Sequence, residues 1–328
     1  SPDATISYLS PTFPHSRWIH SLIVAILMEL VLARNGFDGR SRITAVLAAG
    51  CHDIAMPAGG DPIKSIDPKE VGEERNFSLV MTRSGLADEW KEMFDFDLET
   101  AQRWVENEGT IGLLLDILDK ISYTTLDCHE LGRVRSGKVR DFCLEHPFVS
   151  DIWQDIRFTD DKSRFGFISK ERLYDFLFLR SLEHVELLFN PETRKLDFLL
   201  SRHVRPLYEQ GRITKDDLLS MDNDQLEYMI RRIDPDAIKP YLEPDELDWE
   251  RFETREKAES FSKGIEQGRI ERIEEIRPFK PGLHFPVIVS GSETRPLREV
   301  LEPKKIEALE RLSVERAGHY LFYYQKAP

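Results

Sequence analysis

The sequence predicts a mainly α-helical chain that closes in a small C-terminal α+β lobe, and three observations carry this. Apolar residues recur at helical spacing through most of the chain before Pro240. β-branched and aromatic runs concentrate after it. The 328 residues are 41% apolar and 32% charged, enough for a large core under a well-solvated surface, which excludes a disordered chain and a single small module.

The elements follow in order. Residues 21–35 read as a buried helix, with Leu22, Ile26, Leu27, Leu30 and Val31 on one side and Gly36 as its stop. Ser41 is placed to cap a second helix over 42–51. Residues 54–76, rich in Pro, Gly and charge (PAGGDPIKSIDPKEVGEE), read as an extended loop that follows directly on His52 and Asp53. Long loops in compact domains are commonly functional, so this one reads as a cover over a site. Helical patterns continue over 98–107, 111–131, 170–189, 196–210 and 215–233. The runs IEEIRPF, HFPVIVSG and HYLFYYQ, with a helix near 303–312 between the last two, predict one small antiparallel sheet. Two domains result: a helical one over 1–240 and the α+β lobe over 241–328. No internal repeat is visible.

Charge and cysteine content narrow the function. Against 45 Lys and Arg stand 59 Asp and Glu, a net charge of −14 that repels nucleic acid and anionic membrane on average. An anionic ligand must therefore be caught by a local basic pocket. Cys51, Cys128 and Cys143 form no C-x-x-C pair, which argues against a disulfide framework or thiolate zinc and for an intracellular, cytoplasmic setting. The longest apolar run, 22–33, is broken by Glu29 and is shorter than the roughly 18 residues of a membrane span. The chain starts at Ser1 without a basic-then-apolar signal, so an upstream part is expected to be missing.

Four side chains suit one metal ion: His20, the adjacent His52 and Asp53, and Asp119. Two imidazoles and two carboxylates make a nitrogen and oxygen set fit for Mn, Fe, Zn, Ni or Mg, with positions left for water and substrate. Arg17, three residues before His20, shares its helical face. Asp119, Tyr123 and Asp127 at i, i+4 and i+8 form a polar stripe opposite Leu118, Ile121 and Leu126, with Lys120 beside it to meet a phosphate. A solvated helix face is the plain alternative, and the cost of exposing Tyr123 speaks against it. Arg180 and His184 repeat the i, i+4 arrangement, although such pairs are more often surface or satisfied core groups.

The strings PHSRWIHSL (14–22), CHDI (51–54), DKISY (119–123) and YDFLFLR (174–180) resemble the HD-domain phosphohydrolase superfamily. They are most similar to its deoxynucleoside triphosphate triphosphohydrolase branch, the one with sterile-alpha-motif and HD-domain enzymes. TRPLREVLEPKKIEAL (294–309) extends the similarity into the C-terminal lobe. The resemblance implies a helical HD domain and one divalent transition metal (Mn, Fe, Zn or Ni) on His20, His52, Asp53 and Asp119, with Mg able to accompany the substrate. It implies phosphate contacts from Arg17, Lys120 and Arg180, sugar contacts from Tyr123 and Asp127, and a substrate-side role for His184. The implied activity is hydrolysis of deoxynucleoside triphosphates by a metal-activated water, in a homo-oligomer.

One departure stands against these matches. The superfamily carries catalytic histidines within HDxGHxPFGH and in a later His-Glu pair, whereas this chain has none between Asp53 and Asp119. HDIAMPAGGD puts Met56 and Asp61 at the first positions, and Asn76 and Phe77 stand at the later pair. Asp61, Glu73 or Glu74 would have to supply the proton for the leaving oxygen. A catalytically silent HD protein that binds nucleotides or single-stranded nucleic acid as sensor or scaffold is the second reading. A nucleotidase or phosphodiesterase is the third.

Overall fold

A computed structural model describes residues 17–134, 147–233, 247–265, 270–291 and 293–324; Cys143 and residues 1–16 lie outside them. The chain runs α1 (Arg17–Arg34), α2 (Gly39–Cys51), α3 (Asp61–Lys64), α4 (Glu73–Arg83), α5 (Leu86–Phe94), α6 (Leu98–Val105) and α7 (Gly109–Val134). After the 3-10 run Pro147–Asp155 come β1 (Ile156–Phe158), β2 (Phe165–Phe167) and α8 (Lys170–Glu183), which continues into one π-helical turn, His184–Leu188. Next are α9 (Pro191–Glu209), α10 (Lys215–Ser220), α11 (Asn223–Ile233), β3 (Leu247–Phe252) and α12 (Arg255–Ser262). The chain ends with β4 (Ile270–Ile276), β5 (Pro286–Ser290), β6 (Glu293–Pro296), α13 (Leu297–Val300), α14 (Pro303–Glu315) and β7 (Gly318–Tyr324). The protein is mainly helical with a small strand-containing C-terminal region, as the sequence predicts.

α1 buries Val24, Met28, Val31 and Leu32 completely. At about 1.5–3 kcal/mol for each large apolar side chain, this stripe fixes the helix to the core. Ala45, Ala48 and Ala49 on α2 are nearly all buried, and their small size brings the two helices close. Gly36 closes α1 at φ 67°, and the Phe37 N–H returns to the Leu32 carbonyl at 3.0 Å. Leu114, Leu118 and Ile121 of α7 and Phe176 and Leu177 of α8 complete the main core. A second core joins Ile63, Leu200, Val204, Leu226 and Ile230 to Tyr320 and Phe322 of β7.

Several elements differ from expectation for local reasons. The second helix starts at Gly39, and Ser41 lies inside it instead of capping it. The loop over 54–76 is interrupted by α3, with Pro62 in its first turn, and α4 already begins at Glu73 after Gly72. The Pro and Gly that read as loop are helix-starting residues here. The pattern over 215–233 is two helices, because Thr214 closes a capping box with Asp217 and Asp222 accepts from the Gln225 N–H at 2.8 Å. The strands form two sheets where one antiparallel sheet was expected: β1-β2-β5-β6 and β3-β7-β4. In the first, β2 meets β5 in parallel at Phe167 and Val287, tying residues 156–167 to the C-terminal strands. In the second, β7 is central, with Leu247 opposite Tyr324 and Ile276 opposite Gly318. Leu321 and Phe322 are both fully buried although they point to opposite faces, which explains the unbroken apolar run of this strand. Among the described residues no helix is long and apolar enough to cross a membrane.

Candidate metal centre

α1, the end of α2 and α7 bring His20, His52 and Asp119 together. The His20 Nε2 lies 2.9 Å and the His52 Nε2 3.2 Å from the same oxygen, Asp119 Oδ1. The outer nitrogen of each ring is already committed. His52 Nδ1–H donates to the Ala49 carbonyl at 2.8 Å, one turn back on its own helix. The Ser122 hydroxyl, which reaches the His20 carbonyl at 3.4 Å, stands 3.0 Å from His20 Nδ1 and so accepts the Nδ1 proton. With each Nδ1 committed, both Nε2 atoms face one carboxylate oxygen, an arrangement that needs a positive charge between them, either a proton on Nε2 or a cation in its place.

The electrostatics say the same. Burial pulls the His52 imidazole down, but Asp53 and Asp119 outweigh it and hold its pKa up at about 9. Burial likewise pushes the Asp119 carboxyl up, and the bonds from His20 and His52 override it and hold the group well below the usual carboxylate range. The field that fixes a proton here would equally fix a cation. His20, His52 and Asp119 offer ligand atoms within 4.8 Å of one another, and this His-His-Asp group could hold a metal ion.

Asp53 borders the group, its Oδ1 3.6 Å from His52 Nε2 and its Oδ2 3.9 Å from His20 Nε2. Arg17 donates to that Oδ2 at 3.2 Å. The guanidinium lies so close over Gly60 that a Cβ there would come within 2.9 Å of its Nη2, and Gly60 has φ 66°. The start of the loop thus touches the centre through Arg17.

The remaining predicted substrate residues lie on α7 and on α8 with its π-helical turn. Arg180 donates to the Tyr123 hydroxyl, and its guanidinium sits 5.6 Å from the Tyr123 ring. The Tyr123 ring is in turn 6.5 Å from that of His20. Lys120 is ion-paired with Asp116, one turn earlier. His184 donates from Nδ1 to the Arg180 carbonyl at 2.8 Å, and burial together with the Arg180 charge pushes its pKa down to about 3. Asp127 is buried and shares a hydrogen bond with Glu183, which is wholly buried and accepts from Thr124 at 2.8 Å.

The three candidate proton donors separate. Asp61, exposed at the start of α3, lies next to Gly60 and within the field of Arg194 and Asp197. Glu73 and Glu74 are held by Lys64 of α3, Glu74 at 3.3 Å. Burial raises the Glu73 carboxyl despite that cation. Asn76 ties the loop with two 2.8 Å bonds to the carbonyls of Glu70 and Gly72, and Phe77 is fully buried in the main core. At these two positions the chain has groups that serve the fold.

Ser122, the Ala49 carbonyl and Glu183 were not anticipated from the sequence. Ser122 follows Asp119 by three residues, a spacing that could have flagged it. Glu183 had a signal too, an acid four residues after Leu179 on the buried side of a helix.

No family model matches the chain, and no curated protein matches it. Solved structures share its fold. A hypothetical protein from Aquifex aeolicus aligns with TM-score 0.72 and 17% identity over 94% of this chain and 84% of that one. A phosphohydrolase from Bacteroides thetaiotaomicron aligns with TM-score 0.70 and 16% identity over 98% of this chain and 91% of that one. The chain thus shares the fold of these two structures, and in it a His-His-Asp group could hold a metal ion.

Proposed function

We propose that the protein is a metal-dependent phosphohydrolase of the HD type that acts on nucleotides, with deoxynucleoside triphosphates as substrate. The observation that carries this reading is the pair of Nε2 atoms directed at Asp119 Oδ1 with both outer ring nitrogens committed. His20, His52 and Asp119 would hold the ion, with Asp53 as the fourth ligand. A divalent ion bound there supplies Lewis acidity toward a phosphoryl oxygen and a water of lowered pKa.

The chain's own groups do the rest. Arg17 and Lys120 stand as cations already paired with carboxylates, Asp53 and Asp116, and can exchange those acceptors for phosphate oxygens at little electrostatic cost. Arg180 is anchored on Tyr123, whose ring beside His20 would crowd a 2′-hydroxyl. Of the three carboxyl groups, Asp61 is the proton donor this reading favours, since its neighbour Gly60 packs on Arg17 while Lys64 occupies Glu73 and Glu74. Homo-oligomer assembly and an intracellular setting belong to the same proposal, the first readable by light scattering.

One observation favours a second reading, a silent nucleotide or single-strand binder: Asn76 and Phe77 serve the fold where the superfamily has its acid-base pair. Elemental analysis with a phosphate- and triphosphate-release screen of nucleotides decides. Release from deoxynucleoside triphosphates supports the first reading. Binding without release under any metal supports the second, and release from monoesters or diesters alone makes the protein a nucleotidase or phosphodiesterase.

A further inference from the structure

A cavity of about 280 Å³ opens between α7 and the first sheet, lined by none of His20, His52 and Asp119. Its walls are apolar and come from three parts of the chain: Leu113 and Ile117 one turn apart on α7, Phe165 of β2, and Phe285 just before β5. Ile117, Phe165 and Phe285 are buried and held by the main core, so the floor of the cavity is rigid. Leu113 stands half exposed at the mouth.

Polar groups converge on this apolar floor. Arg164 lines the cavity, and its guanidinium has no hydrogen-bond or ion-pair partner among the described residues. His284 lines the cavity with its ring edge-on to Phe285 at 5.1 Å; burial and the charges of Lys120 and Lys280 lower its pKa against the pull of Asp116, which leaves it a neutral donor. Thr294 of β6 adds a hydroxyl. Asp116 is the only acid in the lining, and Lys120 neutralises it. In a chain of net charge −14, the lining is thus left with one cation unpaired among the described residues, Arg164, beside an aromatic wall. Apolar walls with a few converging polar groups are the form of a small-molecule site, and the volume lies near the lower end of the roughly 300–1,000 Å³ such sites occupy.

We infer that this cavity binds a small aromatic acid, its ring between Phe165, Phe285 and Ile117 and its carboxylate or phosphate on Arg164 and His284. A free guanidinium gives the two-pronged recognition that a carboxylate or phosphate needs, and an amine would meet only repulsion from Arg164. This inference does not depend on the phosphohydrolase reading.

The test is calorimetry on the full chain with benzoate and phenyl phosphate as probes and benzyl alcohol and benzylamine as neutral and cationic counterparts. Both acids should bind saturably and at least about tenfold tighter than the alcohol or the amine, with the tighter of the two distinguishing a carboxylate from a phosphate ligand. Arg164→Gln, at an exposed residue with nothing to unpair, should weaken both by about tenfold or more. Leu113→Trp should block the mouth and abolish binding, and His52→Ala should leave it unchanged. The inference fails if no acid binds at millimolar concentration or the amine binds as well as the acids. Unchanged affinity in Arg164→Gln or Leu113→Trp overturns it, and so does loss of binding in His52→Ala, which would place the probe at the metal centre.

Discussion

Glu183→Gln probes the buried acid pair behind the centre. Glu183 is completely buried beside Asp127, and burial and that neighbour raise its carboxyl well above the ordinary value of 4.5, while Arg180 and Thr124 only partly oppose them. The folded chain therefore holds a proton that the unfolded chain gives up. The stability this contributes is fully present below about pH 4.5 and is lost as pH rises through the folded value, at about 1.4 kcal/mol per pH unit between the two. Gln has the shape of the protonated acid and keeps an N–H to donate to Asp127, but does not titrate. The variant should thus gain on the parent as pH rises from 5 to 7, at about 1.4 kcal/mol per pH unit for as long as Glu183 stays protonated. Urea unfolding of both proteins at pH 5, 6 and 7 reads this difference, and titrating groups not coupled to Glu183 cancel because both proteins carry them. Parallel pH profiles would refute the reasoning. Glu183→Leu serves as control: it leaves Thr124 and Asp127 without their buried partner and should cost about 1–3 kcal/mol at every pH.

Purified protein should carry close to one transition metal per chain, and His52→Ala with Asp53→Ala should remove it; a double variant as metal-loaded as the parent overturns the assignment. Calorimetry should find dATP bound more tightly than ATP, by on the order of 1–3 kcal/mol if Tyr123 leaves a 2′-hydroxyl unpaired, and equal affinities count against the sugar pocket. Lys64→Met strands the largely buried Glu73 carboxylate and should cost about 1–3 kcal/mol in denaturant unfolding near neutral pH, with the deficit shrinking as pH falls and Glu73 protonates. In phosphate or triphosphate release across about pH 5 to 9, Asp61→Asn should lower kcat more than affinity, whereas Glu73→Gln and Glu74→Gln should leave kcat nearly unchanged.

The sequence by itself determined the helical character of the chain, because periodicity is a local property: the apolar spacing through Leu27 and Val31 and the glycine stop at Gly36 need no distant partner to be read, but Leu22, Ile26 and Leu30, read on the same side, are exposed while Val24 and Met28 fill the core. It also named the residue types of the centre and carried the resemblance. It could not show the helices α3 and α4 hidden in a Pro- and Gly-rich stretch, nor that β2 would pair in parallel with β5, since pairing partners more than a hundred residues apart leave no mark on either strand. Only the tertiary structure decided that His20, His52 and Asp119 meet on one oxygen, with Ser122 and the Ala49 carbonyl setting which nitrogen faces it. It alone turned Asp127 from one member of a polar helix stripe into half of a buried acid pair with Glu183. A hydrogen bond depends on distance and burial in three dimensions, and those are set by packing between helices that the chain order does not reveal.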